Sequence, residues 1–372
     1  MLNNVMLAAA WFVAPLFAPS KIAQAYVLAA AVVVAGTVQI LVQLPMLRRL
    51  GYRFDYNWPA AREGVLQVGR NLAPMLFGLA VTQINTFNDS LIARGLEANS
   101  SAPQPMSWLG GAVDYPMQQG AITVLYYGER FYELPVGIVG MAVAVAIFPL
   151  LSRHATRGNL RQLGADMTLG LRLVTCLSIP AGVGLMLLAD PIARLVLKSG
   201  HFGEADTLRA AQVIAWYSTG VWAYCAAPVV VRGFYAMGNA ATPVRIAAWM
   251  VGLNLLLNFT LIWPMHESGL ALSTSIAAAV QLVVLTIAFS RSEARLDWRQ
   301  LSATTARTLV ATAAMASAAY ATLQWMPAKD SFADKLLQVG GPIACGMAIY
   351  CGVYLLLGGR ELGMLLSGRS DE

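Results

Sequence analysis

Three charged side chains lie in a segment that otherwise has the composition of a membrane span. Glu129, Arg130 and Glu133 fall in Ala121–Leu151, and the residues that follow them carry no charge. A charge at the centre of a bilayer costs roughly 3 kcal/mol on insertion scales, so such residues usually face a cavity and act there. Helical spacing places the three on one stripe, and Pro135 predicts a kink directly after it. The stripe predicts a binding site; the alternative is that Glu129 and Arg130 pair with neighbouring helices only to hold the bundle together.

A second set of polar side chains could bind a small cation. Asp89 lies in one apolar segment, Asn254 and Asn258 lie one helical turn apart in another, and Thr274 follows in a third. Oxygen atoms of this kind bind hard cations, and a carboxylate is costly inside a membrane. The alternative, which the pattern alone favours, is that these side chains join helices through hydrogen bonds.

Composition assigns the chain to the membrane proteins. Of its 372 residues 58% are hydrophobic and 12% are charged, with a mean hydropathy of +0.60, whereas a soluble domain carries about 25% charged residues. The sequence has no basic face with interleaved aromatic residues, which argues against nucleic acid as a partner. It also has no nucleophile with a recognisable base, no HExxH and no phosphate-binding glycine loop, so an enzyme is not expected. The four cysteines lack metal-ligand spacing and are expected to be buried hydrophobes.

Windows of about 20 apolar residues, the length that crosses a bilayer, predict an all-α polytopic bundle of about ten membrane spans. The predicted spans are Val5–Ala18, Ala23–Leu47, Leu72–Ile92, Ala121–Leu151, Met167–Ala189, Leu208–Met237, Val244–Met265, Gly269–Phe289, Leu309–Trp325 and Leu336–Leu357. Most of the 25 Lys and Arg residues fall in alternate loops. Because basic residues accumulate on the cytoplasmic side, both termini are predicted to be cytoplasmic. Gly137-Ile138-Val139-Gly140, inside the fourth span, is interpreted as a site of close helix packing.

Six motifs have an order and a spacing that can be compared with known families. They are Gln43–Leu47, Tyr126–Arg130, Glu133–Ile138, Phe148–Arg153, Ser199–Phe202 and Gly233–Ile246. Together they resemble the MurJ/MviN family of lipid II flippases, in the multidrug/oligosaccharidyl-lipid/polysaccharide exporter superfamily. The resemblance implies that the protein moves lipid II from the inner to the outer leaflet of the bacterial inner (plasma) membrane by alternating access. Two alternatives stay open: export of another polyprenyl-linked glycan or of a drug, and a non-transporting membrane scaffold for cell-wall assembly.

The resemblance also implies a division of the chain. The family has two six-helix lobes around a central cavity and two further helices that form a lipid-facing groove. The corresponding ranges are 1–50 (two helices of the N-terminal lobe), 51–70 (a cytoplasmic amphipathic connector), 71–291 (the C-terminal six-helix lobe), 292–358 (the groove helices) and 359–372 (a polar cytoplasmic tail). Motif alignment places Met1 near the family's fifth helix, so we expect a partial two-lobe fold. Since alternating access needs two lobes, inactivity of the chain alone is a further alternative. Glu97–Gln119 is a longer insertion than the family's usual turn.

The resemblance assigns roles to the polar residues. Arg130 is implied to bind the diphosphate of the lipid, because a guanidinium fork matches phosphate oxygens. Glu129, Thr123 and Glu133 complete the implied substrate site. A sodium ion is the one cofactor to consider, and Asn258 stands where some members have a carboxylate. The implied sodium ligands are Asp89, Asn254, Asn258 and Thr274. The implied partners are lipid II, membrane lipids and cell-wall synthesis proteins.

Overall fold

The computed structural model describes residues 8–17, 20–51, 58–98, 106–108, 111–198, 200, 202–292, 294–326, 331–361 and 363. Of residues 21, 60, 70–82, 106–108 and 111–113 it describes the backbone only. Ser199 and His201 of one motif, and 364–372 of the predicted tail, lie outside the described residues. The chain divides into two compact units, Met1–Gly69 and Arg70–Glu372, and each is described by itself.

The first unit contains two short helical turns and one long helix. A π-helix (Ala9–Val13) and a 3-10 helix (Ala14–Phe17) precede α1 (Lys21–Arg49). The last turn of α1 carries two arginines, which complement the negative end of the helix dipole. This helix is long and apolar enough to cross a membrane, which confirms the predicted span Ala23–Leu47. The described part of the predicted span Val5–Ala18 forms only the two short turns.

One helix, α2 (Trp58–Gly95), begins in the first unit and ends in the second. The predicted span Leu72–Ile92 lies within it and is helical throughout, but it is not among the six helices of the described chain that are long and apolar enough to cross a membrane. Residues 52–57 of the connector lie outside the described residues. The last turns of α2 carry Asp89, which therefore sits on a rigid element.

The rest of the second unit is a helical bundle with one small hairpin. In the hairpin, β1 (Met106–Trp108) and β2 (Gly111–Val113) pair antiparallel. A π-helical turn, Val136–Gly140, follows Pro135, where proline removes a backbone hydrogen bond. The helices are α3 (Ala121–Pro135), α4 (Met141–Thr156), α5 (Leu160–Leu187), α6 (Ala189–Val196), α7 (Glu204–Ser218), α8 (Val221–Ala236), α9 (Ala241–Met265), α10 (Glu267–Ser290), α11 (Trp298–Trp325) and α12 (Phe332–Leu356).

The predicted insertion Glu97–Gln119 is bound to the helical bundle at its C-terminal end. The hairpin lies within it, and this hairpin was not predicted. Arg209 of α7 donates to the carbonyl oxygens of Gln119 at 3.1 Å and Gln118 at 3.4 Å. The same guanidinium pairs with the buried carboxylate of Glu267 at the start of α10. Arg209 thus joins the end of the insertion to two helices of the bundle.

Six helical segments of the described chain are long and apolar enough to cross a membrane, and a bent pair makes a seventh. In the second unit they confirm the predicted spans in 121–151, 167–189, 244–265, 269–289 and 336–357. The bent pair, α7 and α8, corresponds to the predicted span Leu208–Met237. The predicted span Leu309–Trp325 lies in α11, which is helical but is not among the six because its first half is rich in serine, threonine and arginine.

The bend of 42° between α7 and α8 interrupts a segment that the sequence predicted as continuous. Helix α7 ends at Ser218, so the carbonyl groups of its last turn lose their intrahelical partners. The hydroxyl of Ser275, from α10, donates to the carbonyl of Trp216 at 3.0 Å and of Tyr217 at 3.3 Å. Ser275 also lies against Gly220, where an added Cβ would be 2.9 Å from its side chain. A neighbouring helix therefore stabilises the break.

The core of the second unit has two large parts. Around α5, α8 and α10 the rings of Phe234 and Phe289 meet edge to face with centroids 5.6 Å apart. Around α3 and α7 the core includes Val213, which packs against the backbone of α3. The four cysteines are free; Cys176 and Cys225 are buried, as expected, whereas Cys345 and Cys351 are only partly buried. These contacts hold α3 rigidly by one face.

Gly140 lies at a close approach between the π-helical turn and α8. A Cβ added to Gly140 would lie 2.8 Å from the Cα of Cys225 and 3.0 Å from its carbonyl oxygen. Both atoms belong to backbone, which cannot rotate away. The interpretation of Gly137-Ile138-Val139-Gly140 as a packing site is confirmed at Gly140, whereas a Cβ added to Gly137 would meet nothing within 4 Å.

Gly140→Ala is expected to lower the free energy of unfolding by roughly 2 kcal/mol, because the added methyl group forces two helices apart. Gly137→Ala is the matched control, since it introduces the same methyl group three residues earlier in open space. Thermal unfolding of both variants in detergent measures the difference. A Tm of the Gly140 variant equal to that of the control would contradict the packing described.

A buried polar cluster fastens the end of the chain to two helices. Glu361 is fully buried, although it lies in the predicted polar tail. It accepts hydrogen bonds from Arg172 of α5 at 2.7 and 2.9 Å, from Thr304 of α11 at 2.7 Å and from Tyr354 at 2.7 Å. Burial acts to raise the pKa of Glu361, but the hydrogen bonds from Thr304, Tyr354 and Arg172 outweigh it and lower the pKa to about 2.

Because the pKa of Glu361 is lowered on folding, its charged form stabilises the protein above its ordinary pKa of 4.5, and this stabilisation is lost as pH falls towards 2. Glu361→Gln is therefore expected to lower the Tm at pH 7 and to have a shrinking effect below about pH 4.5. Glu204→Gln, which alters an exposed ion pair with Arg194 and Lys198, is the control and should change little. An equal effect of Glu361→Gln at pH 3 and pH 7 would exclude the ionised carboxylate as the stabilising form.

Candidate functional site

The charged stripe of α3 presents one arginine in a fixed orientation. Nη1 of Arg130 donates to Oε2 of Glu133 at 2.6 Å, and the two side chains are 49% and 42% exposed. The guanidinium carbon also lies 4.6 Å from the ring centroid of Tyr126, a distance at which cation and ring attract. Most of the five N–H donors of Arg130 stay available for a ligand.

Arg130 and Glu133 face away from the packed side of α3. The ion pair of Arg130 joins it to its own helix and not to a neighbouring one. The alternative that this charge serves only to hold the bundle together is therefore not supported for Arg130. Thr123 is exposed, and it lies two helical turns before Arg130 on the same side. The structure makes no direct contact between these two residues and leaves both accessible.

Glu129 belongs to the same stripe but turns towards the interior of the second unit. It is half-buried, and the hydroxyl of Tyr132 donates to its Oε1 at 3.3 Å. The Tyr132 ring stacks on that of Tyr224 with centroids 4.6 Å apart and lies 4.9 Å from that of Tyr217. Sequence reasoning missed this group of tyrosines. The three-residue spacing of Glu129 and Tyr132 was the available signal.

The candidate cation ligands form one connected cluster. Nδ2 of Asn258 donates to Oδ1 of Asp89 at 2.6 Å and to Oδ1 of Asn254 at 3.1 Å. Nδ2 of Asn254 donates to the hydroxyl of Thr274 at 3.2 Å, and this hydroxyl lies 3.3 Å from Oδ2 of Asp89. Ser273 adds a hydroxyl that contacts Oδ1 of Asn258. The structure thus brings together all four residues predicted for this site.

Three helices position this cluster, and its residues are deeply buried. Asp89 is 9% exposed, and Asn254, Asn258 and Ser273 are fully buried. Asp89 comes from α2, the two asparagines from α9, and the two hydroxyls from α10. Among the described residues no group of three or more His, Cys, Asp or Glu side chains could hold a metal ion. Sodium binding by this cluster stays a prediction.

A protein-family model described as Lipid II flippase MurJ matches residues 1–334 of the chain. The chain belongs to this family. The resemblance inferred from the motifs is thereby confirmed.

Individual relatives agree with the family assignment. The probable lipid II flippase MurJ of Vibrio cholerae serotype O1 is 31% identical over 361 residues, which are 96% of this chain and 64% of the relative. That of Rhizobium tropici is 29% identical over 367 residues, 97% of this chain and 64% of the relative. The lipid II flippase MurJ of Burkholderia cenocepacia is 28% identical over 290 residues, 77% of this chain and 51% of the relative. The chain spans less than two thirds of the length of these relatives.

A solved structure shares the fold. It is titled lipid II flippase MurJ, inward closed conformation, and it matches with a TM-score of 0.66 at 18% identity. The match covers 98% of this chain and 67% of that chain. The predicted fold class, a polytopic helix bundle with a partial exporter fold, is confirmed.

Proposed function

We propose that this chain carries the substrate-binding lobe of a lipid II flippase and moves the lipid-linked peptidoglycan precursor from the inner to the outer leaflet. The observation that supports this most is Arg130: a half-exposed guanidinium in an apolar helix of a MurJ family member, oriented by Glu133 and Tyr126. A lipid diphosphate is an anion that must pass the apolar part of the bilayer. An oriented arginine at that depth offers it charge-assisted hydrogen bonds.

The proposed chemistry is binding without covalent change. Arg130 donates two parallel N–H groups to the diphosphate oxygens, which an arginine does better than a lysine because its fork is planar. Glu133 forms an ion pair with the guanidinium while no substrate is bound. The more highly charged diphosphate then displaces Glu133 from the guanidinium. Thr123, on the same side of α3 as Arg130, and the half-buried Glu129 beside it are proposed to contact the polar headgroup. In this proposal the protein is a transporter and not an enzyme.

The proposed role also implies the location and the neighbours of the protein. A protein with this role lies in the bacterial inner membrane as a multi-pass protein, and the alternating distribution of Lys and Arg supports cytoplasmic termini. Membrane lipids surround it, and cell-wall synthesis proteins are its proposed neighbours. Its transport cycle is alternating access around the stripe of α3.

Translocation by the purified chain tests the proposal. Vesicles containing the chain and fluorescent lipid II in the inner leaflet should expose lipid II to an external quencher, whereas protein-free vesicles should not. Undecaprenyl-linked sugars without the peptide serve as a second substrate. Preference for them would favour the exporter of another glycan. Stable insertion and lipid II binding without any translocation would favour the non-transporting scaffold.

A further inference from the structure

Three tyrosines from three helices pack together next to the charged stripe of α3. The ring of Tyr132, on α3, stacks on that of Tyr224, on α8, with centroids 4.6 Å apart, and its centroid lies 4.9 Å from that of Tyr217, on α7. Tyr132 also packs against both large parts of the core of the second unit, and Tyr217 is buried. The ring of Tyr132 is therefore held in one place.

Tyr224 is seated in the break between α7 and α8. A Cβ added to Gly220, in the break, would lie 2.8 Å from the ring of Tyr224, so the ring occupies space that the glycine leaves free. The hydroxyl of Tyr224 lies 3.3 Å from that of Ser275, which also binds the carbonyl groups at the end of α7. The helix break and α10 thus hold the ring on which Tyr132 stacks.

The hydroxyl of Tyr132 orients the carboxylate of Glu129. It donates to Oε1 of Glu129 at 3.3 Å. Because Tyr132 follows Glu129 by three residues in α3, the two side chains meet on one face of the helix. A tyrosine hydroxyl has one hydrogen, whereas a carboxylate accepts several hydrogen bonds. The contact therefore orients the carboxylate without using all of its acceptor capacity.

The other oxygen of Glu129 is available to a ligand. Among the described residues no hydrogen bond ends on Oε2 of Glu129, and no ion pair includes this side chain. Oε2 is also not one of the buried side-chain atoms that lack a partner in the described chain, so it is accessible. The neighbouring Arg130 pairs with Glu133 instead.

Glu129 suits a different group of the substrate than Arg130 does. Successive residues point about 100° apart around a helix, so these two side chains do not meet the same group of a ligand. A carboxylate repels phosphate but accepts strong hydrogen bonds from hydroxyl groups. In lipid II the group next to the diphosphate is a sugar. When Arg130 binds the diphosphate, the sugar hydroxyls are the nearest donors to Glu129.

We propose that Tyr132 is a positioning residue of the substrate site. It holds the carboxylate of Glu129 so that Oε2 accepts a hydrogen bond from a hydroxyl of the sugar that follows the diphosphate, and Tyr224 holds Tyr132 in turn. Arg130 binds the diphosphate of any such lipid, whereas Glu129 and Tyr132 distinguish sugar-bearing lipids from other lipid diphosphates. The inference rests on the proposed function for the identity of the substrate.

Binding of three lipids to the chain in lipid nanodiscs tests the proposal. They are undecaprenyl diphosphate, the same diphosphate with a sugar but no peptide, and lipid II. Tyr132→Phe keeps the stacked ring and removes the hydroxyl. It should bind both sugar-bearing lipids about fivefold more weakly, the equivalent of one hydrogen bond, and undecaprenyl diphosphate as tightly as the wild type. Tyr320→Phe, the same change at an exposed tyrosine of α11, is the matched control and should bind all three normally.

Three results of the Tyr132→Phe experiment would overturn the proposal. Equal losses with all three lipids are expected if Tyr132 only supports the fold. A loss confined to lipid II would place Glu129 at the peptide rather than at the sugar. Unchanged affinity for every lipid would show that the hydroxyl of Tyr132 has no part in binding.

A double substitution tests whether Tyr132 acts through Glu129. Glu129→Ala should remove the preference for sugar-bearing lipids over undecaprenyl diphosphate, and the addition of Tyr132→Phe should not change that preference further, because residues that act as one unit are not additive. A further change of about fivefold in the double variant would contradict the proposal.

Arg130→Ala separates this inference from the proposed function. All three lipids carry the diphosphate, so this variant should bind all of them more weakly. If the wild type and Arg130→Ala bind all three alike, the proposed role of the arginine fails. If Arg130→Ala loses affinity for all three while Tyr132→Phe keeps the full preference for sugar-bearing lipids, the inference about Tyr132 fails alone.

Discussion

Replacement of Arg130 with alanine is expected to abolish lipid II translocation. The variant removes the guanidinium that Glu133 and Tyr126 hold at the stripe of α3. Two charge-assisted hydrogen bonds of roughly 1.5 kcal/mol each correspond to about a hundredfold loss of affinity for the diphosphate. The remaining Glu129 and Glu133 would then repel the substrate, which adds to the loss. The measurement is translocation of fluorescent lipid II in vesicles, together with its binding to the purified variant.

Two further variants test whether translocation needs the guanidinium group of Arg130 in particular. Arg130→Lys keeps the charge but loses the planar fork, so an intermediate loss is expected. Arg157→Ala removes an exposed arginine at the end of α4 and should leave translocation unchanged. Full translocation by the Arg130→Ala variant, at a protein level equal to the wild type, would refute the role proposed for this residue.

Asp89→Asn is expected to have the second largest effect, namely loss of the sodium dependence of translocation. The asparagine keeps the shape of the side chain and can keep the hydrogen bond with Asn258. It removes the carboxylate of the predicted sodium site, which supplies the negative charge that a cation needs. The measurement is the translocation rate of lipid II in vesicles with and without sodium.

Ser90→Ala is the control for Asp89. Ser90 is the next residue in α2, and its hydroxyl donates to the carbonyl of Thr86 in the same helix at 2.9 Å. Its removal should leave the response to sodium intact. Undiminished sodium dependence in Asp89→Asn would show that this carboxylate takes no part in sodium binding. A wild type that translocates lipid II equally with and without sodium would contradict the predicted sodium site.

Local features of the site could be predicted from the sequence, because helical spacing determines them. Glu129, Arg130 and Glu133 share a stripe in any helix. The two partners of the ion pair, Arg130 and Glu133, are three residues apart in the sequence. Contacts between distant segments are different. Asp89 and Asn258 are 169 residues apart, and their polarity in apolar segments indicated burial without showing the partner. The family resemblance supplied that pairing, and the structure brings the residues together.

Two features could not be predicted because their cause lies on another helix. Apolar composition continues across Thr219 and Gly220, so the break between α7 and α8 leaves no hydropathy signal. It depends on Ser275, which binds the carbonyl groups that the break exposes. Glu361 was assigned to a polar tail because charged residues near a terminus are usually solvated, and its partner Arg172 is 189 residues away. Its burial depends on that single arginine and on two hydroxyl donors.

Photo-crosslinking tests whether Arg130 binds the diphosphate of a lipid. Lipid II with a photoreactive group next to the diphosphate, activated in membranes that contain the chain, should become attached to α3 within about two turns of Arg130. Peptide mapping by mass spectrometry identifies the attachment site, and unlabelled lipid II should compete for it. Crosslinks are expected in the range 123–133 and should disappear in Arg130→Ala. Crosslinks confined to other helices, or unchanged in that variant, would contradict binding of the diphosphate by Arg130.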